Sequence, residues 1–334
     1  MTWFTWRQFR TQAWIAIVAL GAVAAVLAVT SRTLGSLWTA SGVASCGRDC
    51  NHAIDNFNAL VSSGVTGVIY EVVLALTYAV PALIGVFWGA PLIARELEAG
   101  TQRLAWTQSI TRTRWLATKI ALVGAASAVT AGLVSWAASS WSARIDTVQN
   151  YRITPMIYGA RGIVPIGYAL FAFMLGATMG LLLRRATPAM AATLAVYVGA
   201  VTSMALWIRA HLSPVLHAVS PLDINQIRGF GISDNGVMEV VGGALPNKAW
   251  VLTNTTVTTA GQPFVGPASH QYCSNPNQGP HACLNWVASL GLRQDITYQP
   301  ASHFWPLQWT ETGIFVALAL LLAGFCFWRI GRSS

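Results

Sequence analysis

Gly162–Leu183 reads GIVPIGYALFAFMLGATMGLLL, a run without one charged side chain, bounded by Arg161 on one side and by Arg184 and Arg185 on the other. As a helix it would be about 33 Å long at 1.5 Å per residue, enough to cross a hydrocarbon core of roughly 30 Å. Five further runs of this kind lie to either side: Ala13–Thr30, Gly67–Ala94, Leu116–Ser140, Pro188–Ala210 and Thr310–Ile330. Apolar residues fill 54% of 334 positions and charged residues 9%, where a soluble domain carries about 25% charged residues. The missing charge is missing from these runs, so the bilayer sets the architecture. The sequence predicts an all-α membrane protein with six transmembrane helices. The first run is longer than a signal-peptide core and no small-x-small cleavage site follows it, so it reads as a retained anchor.

Lys and Arg give the orientation. With both termini cytoplasmic, the inside holds Arg7, Arg10, Arg95, Arg103, Arg112, Arg114, Lys119, Arg184, Arg185, Arg329 and Arg332. Basic residues are then about fourfold denser inside than outside, as the positive-inside rule requires. The net charge of +9 is explained this way. No basic helix face or aromatic–basic interleaving points to nucleic acid. The N-terminus, residues 1–12, sets Trp3, Phe4, Trp6 and Phe9 beside Arg7 and Arg10. This composition suits a short interfacial helix on the inner leaflet or an aromatic belt for the first span.

Two segments are placed outside. Residues 31–66, rich in Ser, Gly and Asn, form a loop. Residues 211–309 are too many for a loose linker and should form a small extracellular domain, with a strand over Trp250–Thr259. Cys46, Cys50, Cys273 and Cys283 all fall outside, an even set in an oxidising compartment. The simplest pairing is Cys46–Cys50 and Cys273–Cys283, and spacing alone does not fix connectivity. The alternative is a zinc site built from His270, Cys273, His281 and Cys283; the oxidising compartment favours disulfides and no metal.

Ionisable residues inside a membrane are functional candidates. Glu71 lies about one turn into the second span. It is either an interfacial carboxylate reaching water or part of a pathway or external gate. Glu311 stands at the outer end of the sixth span, and Arg161 and Arg209 at outer edges. None is at the midplane, where a proton-coupled transporter would want carboxylates. Pro81 should open a backbone hydrogen bond and kink the second span, beside a translocation path in the functional reading. Small residues recur every fourth position as Gly85 and Gly89, Gly176 and Gly180, and Ala191, Ala195 and Gly199, a spacing that lets helices approach closely. The chain has no G-x-x-x-x-G-K-[ST], H-E-x-x-H or G-x-S-x-G motif, so no ATP-binding loop and no familiar hydrolase centre. No catalytic residue can be named.

The stretch between the second and third spans is more specific: Arg95-Glu-Leu-Glu-Ala-Gly-Thr-Gln-Arg-Leu-Ala-Trp-Thr-Gln-Ser-Ile-Thr-Arg-Thr-Arg-Trp115. Gly100 can end the second helix, Thr101 can cap a short amphipathic helix over 101–108, and Ser109 or Thr111 can cap the third helix. Leu104 and Trp106 would then face the cytoplasm as an apolar docking knob; otherwise this stretch lies on the lipid surface. It resembles the permease subunits of type-2 ABC exporters, a fold shared with the G subfamily. These carry Glu-x-Glu-x-Gly-Thr after the second helix and a Ser/Thr-x-x-Arg step into the third. The matching residues are Glu96, Glu98, Gly100, Thr101, Ser109 and Arg112. The six-helix layout also matches, and Tyr298–Trp309 with Glu311-Thr-Gly resembles a subset of such permeases from actinobacteria.

The resemblance implies a type-2 exporter permease fold. Residues 13–210 would hold five spans and an ATPase-coupling helix at 101–108, and residues 310–334 the sixth span and a cytoplasmic tail. It implies pairing with a second copy and with two copies of a separate ATPase that carries the ATP and Mg, leaving this chain without a bound cofactor. Glu96, Glu98, Gly100, Thr101, Leu104, Trp106 and Arg112 would form the ATPase-coupling set. The function implied is export, through the cell membrane, of a small amphipathic or hydrophobic compound such as a drug or antibiotic. The rival reading is a membrane-anchored sensor or assembly protein whose ectodomain binds a ligand or partner.

Overall fold

The computed structural model describes residues 2–47, 50–98, 111–149, 152–222, 227–232, 237–242, 249–267, 271–274 and 279–332. Among them, six helices are long and apolar enough to cross a membrane: Arg10–Ala40, Val65–Glu98, Thr113–Val148, Val164–Leu183, Ala186–His211 and Ala301–Arg332. Each contains or overlaps one run expected from sequence. Two compact units emerge, Met1–Arg209 with Trp305–Ser334, and Ala210–Phe304.

Several helices outrun the apolar stretch that revealed them. The first runs unbroken over Thr2–Ala40, so residues 1–12 are not a separate helix and the expected loop at residues 31–66 begins as helix. Along its polar end the hydroxyls are taken up by the helix's own carbonyls. Thr30 donates to Val26 O at 2.7 Å, Ser31 to Ala28 O at 2.7 Å and Ser36 to Thr33 O at 2.8 Å. A second helix, Asn51–Ser63, fills the rest of that segment. Phe57 and Val61 pack with Leu34 and with Ile145 of the third helix, and the Trp38 and Phe57 rings meet edge-on at 5.4 Å. The third helix, Arg112–Gln149, would be about 57 Å long, well beyond the thickness of a hydrocarbon core.

The bundle core gathers Ile84, Ile93, Leu116, Val123, Ala169, Phe173 and Ala177. Its tightest seam joins the second and fourth spans through four of the small residues read from sequence. A Cβ on Gly85 would stand 2.7 Å from the Ala172 carbonyl oxygen, and one on Gly180 2.5 Å from that of Ala90. One on Gly89 would meet the Phe173 oxygen, and one on Gly176 the Gly85 oxygen, closer still. The third set behaves differently. Ala191, Ala195 and Gly199 are exposed along the fifth span, and a Cβ on Gly199 would meet nothing within 4 Å.

The inserted unit holds two antiparallel sheets. The strands are β1 (Leu216–Pro221), β2 (Ile227–Ile232), β3 (Val237–Gly242), β4 (Trp250–Val257), β5 (Gly266–Pro267) and β6 (Arg293–Gln299). They pair in the orders β1-β6-β4 and β2-β3-β5. β4 is the strand expected from sequence, two residues shorter. Gln294, Ile296 and Gln299 of β6 are buried, and the Gln294 amide donates to the Thr256 hydroxyl at 2.8 Å. A small core of Val287, Leu292 and Cys283 backs onto Phe264 and Trp286. Both expected disulfides form, Cys46–Cys50 and Cys273–Cys283. The second takes up the two sulfurs of the zinc alternative, whose His270 lies outside the described residues.

Candidate functional site

The ion pairs of the membrane unit lie at its two ends. At the end bearing the chain termini, Glu96 and Glu98 sit on the last turns of the second span and point to different neighbours. The Glu96 carboxylate accepts from the Lys119 ammonium. Lys119 is buried in the third span and also lies over the Trp115 ring, 4.6 Å from its centroid. Glu98 Oε2 accepts from the Ala186 amide at 3.3 Å. That amide opens the fifth span's helix, Ala186–Ser203, where a carboxylate is favoured by the unpaired amides and the helix dipole. Arg184 reverses the chain just before it in a left-handed conformation, φ 54°. Thr111 caps the third helix, its hydroxyl accepting from the Arg114 amide at 3.4 Å, and Arg112 opens that helix. The remaining residues of the expected coupling set, Gly100, Thr101, Leu104 and Trp106, lie outside the described residues, as does the alternative cap Ser109. The two acidic residues of the motif thus fasten the second span to the third and to the fifth.

At the opposite end, among the described residues, are two buried ion pairs. Arg209 Nε and Nη2 donate to both Glu311 oxygens at 2.8 and 2.9 Å, with both side chains 0% exposed. Arg209 also donates to the Pro155 carbonyl at 2.6 Å and to the Tyr168 hydroxyl at 3.2 Å, and it lies over the Tyr158 ring. The Tyr168 hydroxyl in turn donates to Glu311. Burial first, then the Glu311 carboxylate, pushes the Tyr158 hydroxyl well above its ordinary pKa. Arg209 reaches this cage because the fifth span passes through a π turn, Met204–Ile208, just before it. A π turn holds more residues than an α turn, which brings Met204 and Arg209 onto one buried face while Leu206 and Trp207 stay exposed.

The second pair joins Arg161 Nε to Asp146 Oδ2 at 2.8 Å. Asp146 also accepts from the Tyr70 hydroxyl at 2.9 Å and the Ser142 hydroxyl at 2.8 Å. Between the pairs runs the connection from third to fourth span, with Ile153 and Tyr158–Arg161 buried. Gln308 of the sixth span completes its hydrogen bonding. Its Oε1 accepts from the Ile163 and Val164 amides at 2.9 and 3.2 Å, and its amide donates to Tyr158 O at 3.3 Å. Irregular backbone at a membrane boundary is stable when its polar groups are satisfied inside the protein, and Gln308 supplies three such bonds here.

The three residues expected at a pathway or gate are separated. Glu311 is locked in its ion pair. Glu71 is exposed on the second span and makes no hydrogen bond among the described residues. Pro81 is buried in the same helix, which passes directly from Leu83 into a π turn, Ile84–Gly89. Sequence reading missed Asp146, which lies past the apolar run of its helix. Lys119 was taken for a flanking charge. Tyr168 and Gln308 carry no spacing signal at all.

A cleft of about 420 Å³ opens between the first three spans, walled by residues such as Ile15, Ala19, Leu76, Val80, Phe87 and Val134. A second groove, about 240 Å³, lies among the third, fourth and sixth spans.

Six apolar helices, the second and fourth joined by a glycine seam, with ion pairs at the two ends, define a multi-pass membrane protein of the bundle class. Residues 17–209 match the family described as ABC-2 membrane transporter related, and the chain belongs to that family, a membrane transport component. No curated protein and no solved structure matches it.

Proposed function

We propose that this chain is the membrane half of an ATP-driven exporter, moving a small amphipathic or hydrophobic compound such as a drug or antibiotic out of the cell. Both termini and the 99–110 connection face the cytoplasm, the inserted unit faces outward, and a separate ATPase supplies ATP and Mg. Two copies of the chain join two ATPases, and the exposed small-residue face of Ala191, Ala195 and Gly199 suits close packing against a second copy. The observation that carries the reading is the fastening of Glu96 and Glu98 to Lys119 and Ala186. A displacement applied to the connection would act on the second, third and fifth spans together, because a rigid element with defined contacts transmits what a free loop absorbs.

The test compares ATPase pull-down and nucleotide-dependent export for Leu104→Asp and Glu98→Ala against wild type in the same membranes. Leu104→Asp should insert normally and lose the ATPase, since an unpaired carboxylate is costly in an apolar groove. Glu98→Ala should keep the ATPase and lose coupling. Wild-type export from Leu104→Asp at equal expression would remove the connection from the mechanism. Failure of any ATPase to co-purify would favour the sensor reading.

A further inference from the structure

The cleft between the first three spans has a direction. Its lining runs from Gln12 to Val23 on the first span and from Leu76 to Trp88 on the second, about 17 Å along each helix. Its rim is open, with Ile15 65% and Phe87 52% exposed. Among the described residues no charged side chain lines it, and the hydrogen-bonding side chains that do are Gln12, Trp88 and Thr130. Gln12 donates its amide to Phe87 O at 3.2 Å, which leaves its Oε1 without a donor among the described residues. The Thr130 hydroxyl makes no hydrogen bond among the described residues either. These groups lie at one end. Lys119 and Glu96 are bonded across the antiparallel second and third spans. Counting eleven residues up to Thr130 and nine back to Phe87 brings the two level to within about 3 Å. From that level toward Val23 and Leu76 the wall is aliphatic.

We infer that this cleft binds a neutral single-chain amphiphile, with its hydrogen-bonding head at Gln12 and Thr130 and its chain along the first and second spans. An elongated apolar wall with a few placed polar groups is the composition of a ligand site. A charged head would lose hydration here with no counter-charge among the described residues to replace it. The groove among the third, fourth and sixth spans lacks this feature. Its lining, from Ile120 to Ala125 and from Val316 to Ala323, offers no polar side chain, and it serves as the control for simple contact with lipid tails. That the amphiphile is also the cargo rests on the export reading above; the site itself does not.

The probes are three photoreactive compounds with the same chain: a monoacylglycerol, the fatty acid and the alkylammonium. Each is cross-linked to the full chain in nanodiscs of diacyl phospholipid, and labelled peptides are mapped. The monoacylglycerol should label residues 12–23 and 76–88 about tenfold more than either charged probe, the scale of one or two hydrogen bonds gained or lost. Ala19→Trp, which fills the cleft, should remove that labelling. Thr130→Val keeps the shape, so it should spare the fold and narrow the preference for the neutral head. Equal labelling by all three probes, equal labelling of the second groove, or labelling unchanged by Ala19→Trp would each overturn the site. Selective labelling without ATP-driven movement of the same monoacylglycerol would uphold the site and count against it as the cargo site of an exporter.

Discussion

Replacing Glu311 with Ala tests whether the Arg209 cage holds the bundle together. The guanidinium would lose both carboxylate contacts, at 2.8 and 2.9 Å, and keep only the Pro155 carbonyl and the Tyr168 hydroxyl. Both charged side chains are 0% exposed, so water cannot replace what is lost. Removing one partner of a buried pair costs about 3 to 5 kcal/mol. The double replacement Arg209→Met with Glu311→Leu removes both charges. It leaves Pro155 O and the Tyr168 hydroxyl short of a partner, at about 1 to 3 kcal/mol each, against the desolvation cost that disappears with the ions. The double variant should therefore lie within about 2 kcal/mol of wild type, with a coupling energy of at least about 4 kcal/mol between the sites. Equilibrium unfolding of the full chain in mixed detergent–SDS micelles measures all four corners of the cycle. A Glu311→Ala cost below about 1 kcal/mol would mean the pair is solvated, and a double variant no better than the single would mean the cage acts through shape. Either result refutes the argument.

Three further outcomes follow from other features. Gly176→Ala should cost about 1 to 3 kcal/mol in the same unfolding assay, because its Cβ runs into the Gly85 carbonyl, while Gly199→Ala, with open space around it, should be neutral or slightly stabilising; equal effects would dissolve the seam. Gln308→Leu strands the Ile163 and Val164 amides and should cost about 2 to 3 kcal/mol, with faster hydrogen exchange confined to those two amides and their neighbours as the distinguishing readout. Non-reducing peptide mapping should recover Cys46–Cys50 and Cys273–Cys283, and opening the latter should loosen the inserted unit by about 2 to 3 kcal/mol by chain entropy.

The six spans were legible because hydropathy acts on every residue of a run, so an error at Pro188 or Thr310 moves a boundary without removing a helix. The glycine seam was half legible. Fourfold spacing marked Gly85, Gly89, Gly176 and Gly180 alike with Ala191, Ala195 and Gly199, and only packing tells a seam from an open face. The helical cap at Asn51–Ser63 was hidden because its Ser and Asn content imitates a loop, while the signal that mattered was Phe57 and Val61 on one side. The ion pairs were illegible for a deeper reason. Glu311 and Arg209 stand 102 positions apart, Arg161 lies in the connection beyond the helix that carries Asp146, and nothing in the spacing of a charge states which partner the tertiary fold will bring to it.

The bond between Arg209 and Glu311 also bears on how such a chain can change over time. The family match stops at Arg209, the last residue before the inserted unit begins at Ala210, and the unit ends at Phe304, seven positions ahead of Glu311. The polypeptide therefore departs from and returns to nearly the same point, riveted in place by the bundle's own side chains. Whatever is spliced in between need only supply two ends a short distance apart, the condition under which domain insertion is tolerated. The stretch from Ala210 to Phe304 is in that sense a cassette, and a brief hairpin in its place should leave the six helices standing.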